Sequence, residues 1–85
     1  MPTILLLLGW RVFFYSNEND EPIHVHCQKG DKECKFWLDT KHYELKEAFS
    51  HNMTIRDKRE IKQILYEHFG YIEREWTEFQ KRKKK

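Results

Sequence analysis

Glycine is scarce in this chain, three in 85 residues, which leaves no glycine-rich loop to cradle a phosphate group. Charge of one sign is scarce as well. Sixteen basic and 14 acidic residues give a net charge of +2, so the overall field is weak and makes no strong case for nucleic acid. No long hydrophobic run exists either. Thr3 to Leu8 is strongly apolar but far too short to cross a bilayer, and no basic segment of the kind that opens a secretory signal precedes it. No membrane association and a cytoplasmic location are therefore expected. Two cysteines allow at most one disulfide, and the commoner state in that compartment is a pair of reduced thiols used as small core residues. Ser16 and Ser50 fall in turn-like segments without a glycine elbow, so nucleophilic catalysis finds little support.

What the chain does have is large apolar units. Three tryptophans, four tyrosines and six phenylalanines are many for this length, and rings of that size supply a core even to a small domain. A single domain over 1–85 is expected, divided into a β-rich part at 1–49, a C-terminal helix at 54–80 and a basic tail at 81–85. Ile4 to Leu8 reads as a buried strand, Gly9 and Trp10 as a tight connection or bulge, and Arg11 to Tyr15 as the antiparallel partner. Ser16 to Pro22 has a loop composition.

The stretch from Ile23 to Leu38 is the most ordered by pattern. Gly30-Asp31 is a two-residue turn signal of the glycine-first type between runs that alternate apolar and polar. With those residues at the tip, Cys27 falls opposite Cys34, Val25 opposite Phe36 and Ile23 opposite Leu38, all apolar. The other face carries His24 opposite Trp37, His26 opposite Lys35 and Gln28 opposite Glu33. A slip of one residue would scramble both sets, so the register is strongly specified. Tyr43 with Leu45 suggests a short last strand.

Thr54 is placed to cap a helix, with Asp57 three positions on favouring its positive end. Ile61, Ile64, Leu65, Phe69, Ile72, Trp76 and Phe79 then recur at steps of three or four, one stripe on one helix. The expected fold is α+β, an antiparallel sheet of four to five strands with one long C-terminal helix on its apolar face. Such a helix would run roughly 39 Å at 1.5 Å per residue, against about 20 Å for a six-residue strand. Either Gly70 bends the chain back over the sheet or the second half projects, offering Trp76 and Phe79 to a small protein partner or a second copy. The stripe keeps its phase through Gly70, and a glycine costs only about 1 kcal/mol in a helix, which favours projection.

Chemistry is concentrated on the polar face of the hairpin. His24 and His26, two apart on a strand, point the same way and can act as acid and base about a phosphodiester. Arg11 or Lys35 could stabilise a charged phosphorane, in a metal-independent reaction that needs little enclosed volume. Trp37 and Tyr15 offer stacking planes, with Lys29, Lys32, Lys35 and the tail available to phosphates. Neither a metal nor another cofactor is expected, since only Glu33 and Gln28 share the histidine face as further ligands.

Several phrases also resemble a known family. Met1 to Ile4, Arg11 to Glu18 with its Tyr15-Ser16-Asn17, Pro22-Ile23-His24-Val25-His26, Lys35 to Leu38 and the late Trp76 to Phe79 look like the small prokaryotic "domain of unknown function four-one-six-zero". The resemblance implies a compact sheet with a C-terminal helix, and a setting similar to toxin–antitoxin modules. It marks Arg11, Tyr15, Asn17, Glu18, His24 and His26 as signature positions. The leucine-rich first strand, where a glycine pair is more usual, and the basic tail depart from the pattern. The reading that follows is a toxin–antitoxin-type protein that binds or cleaves RNA through the histidine face; the alternative is a non-catalytic interaction module using the end of the helix.

Overall fold

The computed structural model describes residues 3–14 and 22–83. Five strands, β1 (Thr3–Leu7), β2 (Trp10–Phe13), β3 (His24–Lys29), β4 (Lys32–Asp39) and β5 (Glu44–His51), are followed by two helices, α1 (Ile55–Glu67) and α2 (Phe69–Lys83). The strands form one antiparallel sheet in sequence order, β1 to β5. The β1–β2 and β3–β4 connections are two residues long, which suffices because antiparallel neighbours need only a tight turn between them.

The central hairpin has the register that its alternation dictates, with His24 paired to Trp37, His26 to Lys35 and Cys27 to Cys34. Leu38 donates its amide to the Ile23 carbonyl at 3.0 Å, extending the same register by one pair. Gly30 has φ +59 at the first central position of the turn, where a side chain would be strained. The first hairpin turns one residue earlier than Gly9-Trp10 suggested. Leu8 and Gly9 form its tip with φ +53 and +85, and Trp10 is a strand residue, fully buried. The last strand is eight residues long rather than short.

One sheet face packs on α1. Val12, Val25, Cys27, Cys34, Phe36 and Leu38 are buried there with Ile61, Ile64 and Leu65, and full burial of each large apolar side chain is worth about 1.5–3 kcal/mol. Thr54 caps α1 as expected. Its hydroxyl accepts from the Asp57 amide at 3.1 Å and the Asp57 carboxylate accepts from the Thr54 amide at 3.0 Å, a reciprocal capping box.

The single long helix is not formed. The chain breaks at His68, two residues before Gly70, where φ −116 and ψ 20 interrupt the helical path. Both the amide and the ring Nδ1 of His68 donate to the Ile64 carbonyl, at 3.1 and 2.8 Å. A side chain that claims a helical carbonyl ends the turn locally. Helical bonding resumes with the Ile72 amide on the His68 carbonyl at 2.9 Å. Beyond the break, Trp76 and Phe79 of α2 pack against the core and do not project. Trp76 meets Phe14 edge-on at 5.0 Å and Phe79 lies 5.7 Å from the same ring. Apolar contact with the chain's own core outweighs the phase continuity that favoured projection.

Candidate nucleic-acid interface on the sheet

Strand alternation decides which side chains share the face turned away from α1. Register pairs place Arg11 and Phe13 of β2, His24 and His26 of β3, and Lys35 and Trp37 of β4 on that face, with Phe49 of β5 opposite Lys35. The rings touch in a continuous series. Phe13 stacks on His26 at 5.6 Å, His26 meets His24 edge-on at 5.4 Å, and His24 meets Trp37 at 5.1 Å. Trp76 closes the series from α2, 5.1 Å from His24. Two cations lie over it, the Arg11 guanidinium 4.5 Å from the Phe13 ring and the Lys35 ammonium 4.3 Å from the Trp37 ring, a favourable placement because the ring face is electron-rich. Arg11 is further oriented by its Nε, which donates to Thr3 Oγ1 at 2.8 Å.

The sequence places the imidazoles on an open polar face; in the structure they are buried, His24 fully and His26 all but 6%. His24 Nδ1 lies 2.8 Å from the Pro22 carbonyl, which can only accept, so that nitrogen carries the ring proton. Buried in this way, the imidazoles pack among the rings of the face. Tyr15, with Asn17 and Glu18, lies outside the described residues.

Lys29 and Lys32 do not join Lys35. They flank the turn at positions that face the helix layer, where Lys29 Nζ pairs with Glu60 at 3.3 Å and Lys32 Nζ with Asp57 at 3.0 Å. Glu60 also accepts from the buried indole of Trp10 at 2.7 Å. That bond, then the lysine, holds the Glu60 carboxyl below its ordinary pKa. The Asp57 pKa falls to about 2, chiefly because its carboxylate accepts the Thr54 amide and then because Lys32 is beside it. In the tail, Lys81 lies 3.5 Å from Glu78.

Phe49, 42% exposed on β5, is a member of the face that strand alternation alone did not reveal. An irregularity in the pairing between Lys35 and Phe36 shifts the alternation of β5, so Phe49 joins Lys35 while Glu47 turns toward α1 and meets Lys58 at 3.4 Å. The cysteines are free and buried, facing the core. Among the described residues the group with donor atoms suited to a metal is Asp39, His42 and Glu44, within 4.8 Å of one another. Asp39 is already engaged there, accepting from the amides of Lys41 and His42 and lying 2.9 Å from His42 Nδ1, so these bonds explain the cluster as the lock of the β4–β5 turn.

A family model described as "Domain of unknown function (DUF4160)" matches residues 9–77. The chain belongs to that family. The span matched in this DUF4160 member takes in the whole histidine–aromatic series, from Arg11 through Trp37 to Trp76, and leaves β1 and Phe79 outside. Comparison with curated proteins and with solved structures finds no match. No helix among the described residues is long and apolar enough to cross a membrane.

Proposed function

We propose that this protein binds single-stranded RNA on the sheet face turned away from α1, as a holder of RNA rather than a nuclease. The observation that carries the reading is the seating of Arg11 and Lys35 over Phe13 and Trp37, with Phe49 exposed beside Lys35. An exposed ring beside seated cations suits a single strand, with a base stacked on Phe49 while the phosphates take the charges of Arg11 and Lys35. The buried imidazoles give the rings a firm bed, and their burial argues against the cleaving variant. In a toxin–antitoxin-type pair such a protein would act by sequestering a transcript.

Fluorescence anisotropy with a labelled single-stranded RNA tests this. Binding should weaken as salt rises, because cations on the face release counterions from the strand. Phe49→Ala and Lys35→Ala should each weaken it by about tenfold, in line with the ~1–3 kcal/mol attributed to a stacked base. Absence of binding at low salt, or affinity indifferent to both substitutions, would reject the proposal. RNA shortened during incubation would instead restore the acid–base role of His24 and His26.

A further inference from the structure

The two free edges of the sheet differ in their protection. β5 carries Glu44, Lys46 and Glu47 and is bent by an irregularity in its pairing, devices that keep foreign strands from adding to an edge. β1 reads Thr3-Ile4-Leu5-Leu6-Leu7, without a charge or a proline. Its first half is blunted, by a register shift between Thr3 and Leu5 and by Tyr71, whose hydroxyl donates to the Ile4 carbonyl at 2.8 Å. Its second half has neither device. Leu6 there is 72% exposed, and Leu8 in the adjoining turn 63%.

The turn decides which backbone groups of β1 face outward. Leu7 and Trp10 flank the two-residue Leu8-Gly9 tip and so form a hydrogen-bonded pair. Leu6 opposite Arg11 falls at the next, non-bonded pair, and its own N–H and C=O point to the free edge. Beside that edge runs a groove of about 310 Å³, with Leu7 and Leu8 on one wall and Arg56, Arg59, Gln63 and Glu67 of α1 on the other. These helix positions recur at three and four, so they form one stripe along α1. It is basic at its beginning and acidic at its end, while Glu60, which also lines the groove, is held by Trp10 and Lys29.

We infer that this edge pairs with the same edge of a second copy, antiparallel about a two-fold axis at Leu6. Leu6 would then exchange both backbone bonds with Leu6 of the second copy, the self-complementary pairing a two-fold interface demands. The exchange is confined to that pair, because the next bonding position sets Leu8 of one copy beside Ile4 of the other, whose carbonyl Tyr71 holds. The same operation sets the two α1 helices antiparallel across the joined groove. Arg56 and Arg59 of each copy then face Glu67 of the other, a match repeated at both ends of the interface. An unrelated strand could satisfy the backbone of Leu6, but the polarity of the α1 stripe is complementary to its own reverse. The result is a short backbone junction at Leu6 between the two sheets, supported by the charge match of the helices.

Analytical ultracentrifugation from micromolar to sub-millimolar protein tests the inference. The mass should rise from 10.6 kDa toward twice that value. Leu6→Lys, at an exposed position, should hold the chain monomeric with an unchanged far-UV circular dichroism spectrum. Arg56→Glu should weaken dimerisation by about tenfold, as expected when like charges face one another, and the double substitution Arg56→Glu with Glu67→Arg should restore it. A wild type that stays monomeric throughout overturns the inference. So does a dimer that Leu6→Lys leaves intact, or one that responds to Leu6→Lys but is indifferent to the charge reversal.

Discussion

The indole of Trp76 lies 5.1 Å from the imidazole of His24, joining the last helix to the third strand across 51 intervening positions. That contact lies beyond the helix break at His68, and it packs against a polar-looking strand position that is fully buried. Trp76→Ala should lower stability by about 2–4 kcal/mol, the range for truncating a large packed side chain. It should leave the mass in solution unchanged, since Trp76 packs within its own chain. Urea unfolding followed by circular dichroism, with sedimentation alongside, measures both.

The capping box gives α1 an acid-sensitive start. Asp57 titrates near 2 in the folded chain against 3.8 ordinarily, so its contribution is fully present above pH 3.8 and is lost as pH falls from there toward 2. Thermal melts over that window should show a fall in Tm that Asp57→Asn reduces. Thr54→Ala removes the other half of the box and should cost about 1 kcal/mol.

Cys27 and Cys34 face one another in the core, both fully buried and free. The thiol–thiol hydrogen bond and then burial raise the Cys27 pKa well above its ordinary value, so the reactive thiolate is suppressed. The native protein should resist Ellman's reagent and expose both thiols only in denaturant. Rapid labelling of the folded chain would show that this hairpin opens readily.

Gly9 has φ +85, and a Cβ placed on it would come 3.1 Å from Cε of Lys29. Gly9→Ala should therefore destabilise by about 1–2 kcal/mol through backbone strain. The same substitution at Gly70, where a Cβ meets nothing within 4 Å, should be neutral or stabilising by up to about 1 kcal/mol. Parallel chemical denaturation of the two variants checks the contrast.

The parts of the fold that were legible rest on short-range rules. The hairpin register follows from a turn at Gly30-Asp31 and a period of two, and the start of α1 from Thr54 and Asp57, three residues apart. The break at His68 was not legible because the apolar stripe continues through it. A ring nitrogen capturing the Ile64 carbonyl leaves no mark on hydropathy. Phe49 was hidden by the pairing irregularity, which exists only between two strands. For the candidate site, alternation correctly grouped His24, His26, Lys35 and Trp37 on one face. It also turns Lys29 and Lys32 to the helix side, where the carboxylates of Asp57 and Glu60 hold them.

By itself, the sequence determined that the two imidazoles point the same way, because neighbouring side chains on a strand must alternate. Whether that way leads to water was decided in three dimensions. Pleat direction is a property of consecutive residues, whereas burial depends on which distant groups arrive above them. Here Trp76 arrives from α2, beside the rings of Trp37 and Phe13, and the two imidazoles are buried among them.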